Sequence, residues 1–442
     1  MTDKTGMRKL LDLAADKSDQ AEVFHYRSDY GSLSVRNGRV TDMSAGIQTG
    51  YALRIIKNGK LGTAYTKNLL DPRKVAENAG ISMKGHVEAG FSFPSPCDLP
   101  PPPSMDGTVA SMGFDDLYSY SDKAYEYLSD RVEGQVDIAA ERSVTDVSIM
   151  NSNGLDVTRH SPVMYLFASV LFPNTETAVR KIYRSSSASE FPGEDLEEMA
   201  ELYRAGLPEV EVHGGRMQVM FTQDTMFTLL WRLSAGASGM AFHSGISPLL
   251  KKRGKKVLSE KFTLYDDPTD TSRPEASFFD DEGVKTRKHV VFRNGVFENL
   301  ILNLDYAARL GEEPTGNGYR ESMWGGETVA IQPAPLLKTP GIAPGKASFR
   351  DMVSGMDRGV IVMGVLGAHS GNINNGDFSV GLNPGYYVEN GKIKGRIKDG
   401  MVAGNVYEVL RNVVAVEDEL HDSLTGGRFP AILLEDVSVS AR

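Results

Sequence analysis

Eight histidines, one cysteine and two acidic runs are the residues of this 442-residue chain suited to metal binding or hydrolysis. The histidines (His25, His86, His160, His213, His243, His289, His369, His421) are scattered, and no two lie within five positions. A helical two-histidine metal clamp is therefore excluded by counting. A site built from distant histidines needs the fold to gather them, and His243, beside a run of small residues, is the best single candidate. The lone Cys97 can form neither an intrachain disulfide nor a cysteine cage for zinc. The runs 265–270 and 280–283 (Asp280, Asp281, Glu282, Gly283) could hold a divalent cation through oxygen ligands. They lack EF-hand spacing and sit beside Gly and Pro, where carboxylates more often cap turns. Ser185, Ser186, Ser187 and Ser370 have no Gly-x-Ser-x-Gly elbow, and the adjacent His369 and Ser370 point to different sides of most backbones. Glycine-rich segments 316–318 and 364–376 match neither a Walker nor a dinucleotide fingerprint, and fit close backbone approach to another chain or a peptide.

The stretch that must position any such chemistry is 216–250, RMQVMFTQDTMFTLLWRLSAGASGMAFHSGISPLL. It begins as a β-rich run at 217–222, breaks at Gln223 and Asp224, and turns helical. Met226, Leu230, Leu233, Ala237 and Met240 alternate steps of four and three, which predicts one buried helix face. Ser234, Ala235, Gly236, Ala237, Ser238 and Gly239 then shrink the surface, so another element or a ligand can approach closely.

Around this stretch the sequence predicts helices at 7–17, 71–85, 114–130 and 194–205. Strand-like runs fall at 21–27, 32–43, 50–66, 136–142, 144–151, 155–161 and 164–172, a hairpin-like run at 284–302, and further regular elements at 360–365, 378–381, 385–393, 406–416 and 432–439. Asn37–Gly38, Asn58–Gly59 and Asn294–Gly295 are hairpin turns, because both central residues must take positive φ. The proline-rich stretch 93–104 reads as an extended linker. Strands in runs with helices set apart argue α+β. Two domains are expected. An N-terminal helix and antiparallel-sheet domain spans 1–210 and contains the linker. A mostly antiparallel β domain with a small-residue helix at its start spans 211–442.

A net charge of −10 and a pI near 5.4 give no whole-chain field favouring nucleic acid or anionic membrane. The basic cluster within 251–256 has no interleaved aromatics to stack bases and reads as a solvated turn. No run approaches the ~18 apolar residues of a membrane span, and residues 1–20 lack the apolar core of a signal peptide, so a cytoplasmic protein is expected.

An ordered series of segments resembles the TldD/PmbA family, whose members are also called modulator of DNA gyrase proteins. The series is YALRIIKNGKLGTAYT (51–66), NSNG (151–154), YDDPT (265–269), FDDEGVKTRKHVVFRNGVFENLILN (279–303), TGN (315–317), GDFS (376–379), VENGKI (388–393) and AGN (403–405). TldD-like members of that family carry a His-Glu-x-x-x-His helix and a C-terminal cysteine that together bind the catalytic metal. PmbA/TldE-like members have lost them. In the register the resemblance gives, Trp231 and Arg232 stand at the first His and the Glu, Gly236 stands at the second His, and the cysteine slot falls at 424–427. The resemblance therefore implies the PmbA/TldE-like branch, with no catalytic residue and no metal bound by this chain. It implies a heterodimer with a TldD-like metallopeptidase subunit that carries zinc, the complex cleaving unfolded or extended peptides by metal-activated water. This chain would hold substrate, lending a sheet edge to the extended peptide. Substrate- or partner-facing candidates are Ser234, Gly236, Ser238, Gly239, His243, Asn317, Gly376 and Asp377. A homodimer stays open. Two alternatives also stay open: a self-sufficient hydrolase built on His243, His369 and the Asp280–Glu282 cluster, and a regulatory protein binding a topoisomerase or DNA.

Overall fold

A computed structural model describes residues 3–101, 107–322 and 325–441. At Asn37–Gly38 and Asn58–Gly59 both residues take positive φ (47° and 75°; 49° and 70°), closing two-residue hairpins whose twist matches the flanking strands. These turns join β1 (Gln20–Arg36), β2 (Arg39–Lys57) and β3 (Lys60–Thr66). Two helices start on side-chain caps. Asp3 accepts from the Gly6 N–H at the head of α1 (Lys4–Ala15), and Asp71 accepts from Lys74 at α2 (Pro72–Ser82), with Pro72 at the first helical position.

After α3 (Phe114–Ser129) the meander β4 (Gln135–Asn151), β5 (Asp156–Leu171) and β6 (Ala178–Ser185) completes an antiparallel six-stranded sheet, order β3-β2-β1-β4-β5-β6. The strands are longer than the sequence predicts. The expected gaps at Ser28–Gly31 and Ser143 are bridged because β1 and β4 each lie between two partners. Pro162 sits inside β5 opposite Val144, just before β6 begins to pair at Met164, so its missing N–H costs no ladder bond on that side. One sheet face carries α1 and α2 at one end, through Met7, Leu10, Val75 and Ala79 on Val23 and Leu53. At the other end α3 packs Leu117, Ala124 and Leu128 on Leu33, Val35 and Val136. The opposite face packs Phe24, Ala52 and Ile149 against Phe279 and Val329 from the second half of the chain.

After α4 (Gly193–Gly206), β7 (Gly215–Phe221) runs between the antiparallel Ile432–Ala441 and the parallel Arg358–Val362 in a ten-stranded sheet. A smaller sheet gathers Leu264–Asp266, His289–Arg293 and Pro340–Ile342. Helix α5 (Phe227–Ala237) buries Leu229 and Leu233 between them, with Phe221, Phe292, Val360 and Ile432. The architecture is α+β and mostly antiparallel.

Two local expectations are corrected. The helix predicted to reach Met240 breaks at Ser238, which is extended (φ −67°, ψ 137°). The break is stapled to Ile301: Ile301 N–H donates to Ala237 O at 3.0 Å, and Gly239 N–H donates to Ile301 O at 2.9 Å. Ser238 Oγ then accepts from Met240 N–H at 3.2 Å and starts α6 (Gly239–His243), leaving Met240 53 % exposed instead of in the core. Residues 406–416, expected as one regular element, divide into a helical turn, Val406–Val409, capped by Asn405 through Tyr407 N–H at 3.0 Å, and a strand, Val413–Val416. Of the proline-rich stretch, Pro102, Pro103 and Ser104 lie outside the described residues, as do Met323 and Trp324 of the glycine-rich 311–326. Among the described residues no helix is long and apolar enough to cross a membrane.

Candidate functional site

The helix α5 carries Trp231, Arg232 and Gly236, and β7 delivers it to the centre of the second half. The turn before it is held by Thr222 Oγ1 and Thr225 Oγ1, both donating to Val362 O at 3.0 and 3.1 Å. Arg232 then points inward and is 0 % exposed. Its Nε donates to Asp377 O at 2.5 Å, Nη1 to Thr228 O at 2.7 Å, and Nη2 to Ser370 O at 2.7 Å and Ala368 O at 3.1 Å. Four of the donors of a guanidinium are thereby given to carbonyls of its own helix and of the loop 368–377. Burial pulls its pKa down, with the Asp377 carboxylate opposing that pull. A buried cation with these bonds is a structural clamp, and it leaves no room for a carboxylate base at this slot.

Gly236 faces Tyr407. A Cβ built on it would stand 2.0 Å from the Tyr407 hydroxyl and 3.3 Å from Cζ. On the tyrosine's other flank lies Gly376, whose Cβ would meet the ring at 2.8 Å. The Tyr407 hydroxyl is buried without a hydrogen-bond partner, and burial pushes its pKa up. Asp377 pairs with Asn405 across the ladder, and its Oδ1 accepts from Asn405 Nδ2 at 2.8 Å. The fold thus brings four candidates, Arg232, Gly236, Gly376 and Asp377, to one place around Tyr407.

The remaining candidates separate. Ser234 and Trp231 are half-buried on α5, and His243 is exposed at the end of α6, its ring 6.2 Å from that of Tyr306. Gly239 is buried against Leu302 and Tyr306. Asn317 belongs to a different buried network, donating to Asp266 Oδ2 at 2.7 Å and to Leu336 O at 3.1 Å. Gly236, Ser238, Gly239, Asn317 and Gly376 are buried within their own chain. The close approach expected at the small residues does occur, but the approaching groups are Tyr407, Leu302 and Tyr306.

The cysteine slot at 424–427 docks near the start of the same helix, where Leu424 N–H donates to Asp224 Oδ1 at 2.8 Å. Asp224 is buried, and loss of water pushes its pKa up to about 7 despite that bond and the nearby Lys181 and Arg184. The helix and loop that the resemblance associates with a metal are therefore neighbours. Their donor set does not suit one: an indole, a guanidinium, a hydrogen atom and the residues Leu424, Thr425, Gly426 and Gly427. Among the described residues no group of three or more His, Cys, Asp or Glu side chains is placed to hold a metal ion.

Sequence reasoning missed the charged seam between the two halves. Arg54 on β2 is buried between Glu22, 2.7 Å from Nη2, and Glu282, 2.7 Å from Nη1. The two carboxylates hold its guanidinium firmly protonated. Glu282 Oε2 also accepts from Leu304 N–H, and Arg159 on β5 pairs with Asp281 at 2.6 Å. Asp280 accepts from the N–H groups of Glu282, Val284 and Gly318. The acidic run is thus fully engaged by the chain's own donors, and His369 lies exposed in the loop clamped by Arg232, so a hydrolase built on these groups gains no support. The available signal was a single arginine inside the apolar run YALRII. A lone charge at a buried strand position needs a partner of opposite sign. Beside this seam a cavity of about 190 Å³ is lined by Arg159, Tyr165, Glu275, Arg320, Glu321 and Lys338.

Comparison with known proteins gives the family. The family model described as the PmbA/TldA metallopeptidase C-terminal domain matches residues 214–441, just over half of the chain, and the model for domain 1 matches 21–81. An uncharacterised protein of Methanocaldococcus jannaschii is 28 % identical over 428 residues, covering 93 % of this chain and 95 % of its own length. The metalloprotease PmbA of Escherichia coli O157:H7 is 23 % identical over 454 residues, covering 98 % and 94 %. The crystal structure of TldE from Thermococcus kodakarensis superposes with a TM-score of 0.87 at 25 % identity, covering 99 % of this chain and 100 % of that one.

Proposed function

Because the chain belongs to the PmbA/TldD metallopeptidase family, we propose that it is the subunit of a peptidase that carries no metal itself. It pairs with a TldD-like chain that does. One observation carries this reading. At the helix where the family resemblance puts ligands and general base, Arg232 is committed to four backbone carbonyls and Gly236 is filled by Tyr407. Trp231, Arg232 and Gly236 offer a cation no lone pair, and no catalytic step is assigned to them. The contribution of this chain is positional, holding an extended peptide beside the partner's catalytic centre. The cavity at the seam supports this, since its mixed Arg, Lys, Glu and Tyr lining suits the polar main chain and charged ends of a peptide.

The test is reconstitution. The chain purified alone is expected to hold substoichiometric zinc and to leave an unfolded polypeptide intact. Co-expressed with a TldD-like chain from the same genome, it is expected to co-purify and to raise peptide cleavage above that of the partner alone. One zinc tightly held per chain, or cleavage by the isolated chain, overturns the proposal.

A further inference from the structure

Three cations line the cavity at the seam, and two of them are engaged by the chain itself. Arg159 pairs with Asp281 at 2.6 Å, and Lys338 pairs with Glu321. Arg320, the third, makes no ion pair among the described residues. Its backbone N–H donates to Asp281 Oδ2 at 2.8 Å, its Nη1 donates to Ile331 O at 2.7 Å, and its Cζ lies 4.7 Å from the centre of the Phe24 ring. These contacts fix the plane of the guanidinium. Its remaining edge, Nε–H and Nη2–H, is buried and meets no acceptor. That edge is the fork with which an arginine grips a carboxylate through two parallel hydrogen bonds. The Tyr319 hydroxyl also belongs to a cavity-lining residue and is also buried without a partner. Burial, with Arg54 adding to it, pulls the Arg320 pKa down to about 10, so the group is charged at neutral pH. Leaving charged donors buried and unmet is unfavourable, and an anion on the fork removes that penalty.

The outer end of the cavity has the opposite character. Arg320 and Tyr319 are each 1 % exposed, whereas Glu275 is half-buried and Glu321 exposed. The cation paired with Glu275 is Arg184, and its Nε stands 3.8 Å away. Burial and the Glu275 carboxylate push the Tyr165 hydroxyl pKa up, with Arg184 opposing and Glu141 and Glu321 adding to the rise. Along one side Phe24, Tyr26 and Val147 of the sheet face supply an apolar wall. A cationic fork at the inner end, an apolar wall and carboxylates at the outer end are complementary to a molecule with separated carboxylate and ammonium groups. A phosphate suits the cavity less, because Glu275, Asp281 and Glu321 balance the three cations and leave no net positive charge. The volume of about 190 Å³ is below the roughly 300–1,000 Å³ of sites for drug-sized ligands, so the occupant is small.

We propose that this cavity binds a product-sized zwitterion, a free amino acid or a dipeptide, with its α-carboxylate on the Nε/Nη2 fork of Arg320 and the Tyr319 hydroxyl and its α-ammonium toward Glu275 and Glu321. The proposal rests on the reading that the seam receives peptide, and narrows it to the fragments a peptidase releases.

The experiment titrates the full chain by calorimetry with no partner chain present, using Ala-Leu and free leucine as probes. The tighter of the two is expected to bind with a Kd of about 1 mM or below, and identifies which zwitterion the cavity fits. Ala-Leu amide, which lacks the carboxylate, is expected to bind at least about tenfold more weakly than Ala-Leu. N-acetyl-Ala-Leu, which lacks the ammonium, is expected to lose about threefold, a smaller factor because the outer end is in contact with water. Arg320→Lys keeps the charge but removes the fork, and is expected to weaken binding at least about tenfold. Tyr319→Phe deletes a hydroxyl that has no partner, so it is expected to fold with an unchanged melting temperature and to bind about threefold more weakly. Absence of binding by either probe at about 20 mM overturns the proposal. An amide that matches the acid also overturns it. An acetylated peptide that matches Ala-Leu overturns it in favour of the C-terminal end of a longer chain. Unchanged binding by both Arg320→Lys and Tyr319→Phe overturns it as well, and is the outcome expected if the fork turns to Glu22, whose Oε2 is likewise buried without a partner. Cleavage by the reconstituted pair without binding here would leave the pairing standing and remove this site, and binding without cleavage would do the reverse.

Discussion

Arg54 Nη1 lies 2.7 Å from Glu282 Oε1, with both side chains buried and 228 positions between them in sequence. Arg54 stands on the N-terminal sheet and Glu282 in the acidic run of the second half, so this contact and the Arg54–Glu22 pair bind the halves through charge.

Removing the cation from this triad strands two carboxylates. Arg54→Met is expected to cost about 3–5 kcal/mol in denaturant unfolding, the usual result of breaking a buried pair from one side. Adding Glu22→Gln and Glu282→Gln to Arg54→Met is expected to recover a large part of the loss. A triple variant no more stable than the single one would show that the charges do not set the cost.

Gly236→Ala tests the helix. Its methyl would stand 2.0 Å from the Tyr407 hydroxyl, so the variant is expected to lose roughly 1–3 kcal/mol through overpacking. Tyr407→Phe removes the atom in conflict and leaves the next contact at 3.3 Å. In a double-mutant cycle it is expected to return at least half of the loss. Additive effects of the two substitutions would mean that the tyrosine is not what fills the glycine's place.

Asp224 supplies a pH dependence. Its folded pKa of about 7 lies above the unfolded value of about 3.9, so the folded state holds the proton more tightly. The stability this confers is fully present below about pH 4 and is lost as pH rises through 7. Asp224→Asn keeps an acceptor for Leu424 N–H and cannot titrate. The stability of the parent minus that of Asp224→Asn is expected to fall between pH 4 and 8 by an amount on the order of 3–4 kcal/mol. A difference that stays flat, or that rises with pH, would falsify the assignment.

Arg232→Met is expected to release the loop 368–377, because Met offers no donors to the carbonyls of Ala368, Ser370 and Asp377. Faster amide exchange and earlier proteolytic nicking there, ahead of global unfolding, are the expected readouts. Unchanged protection in that loop would count against the clamp.

How far these features were legible varies with how local their cause is. The Asn-Gly turns and the Asp71–Pro72 helix start were readable because each is decided within four residues. The continuity of β1 through Ser28–Gly31 was not, since those residues look like loop and are held only by β2 and β4 on either side. The break at Ser238 was hidden for a similar reason. The 3.6 period continues to Met240, but Ile301, more than 60 residues on, takes the backbone bonds that would extend the helix. The identity of the residues at 231, 232 and 236 was plain in the sequence. That Arg232 grips a distant loop, and that Gly236 makes room for Tyr407, depends on pairings no local pattern contains.

Arg232 grips its loop by main-chain oxygens alone. Every residue type has such an oxygen, so the anchor does not read the loop's sequence. One side chain on α5 holds both ends of its path, while the exposed His369 and Asn374 are free to be exchanged. The loop is built like a display arm on a fixed mount. Its surface can be rewritten residue by residue, with little consequence for the helix that holds it.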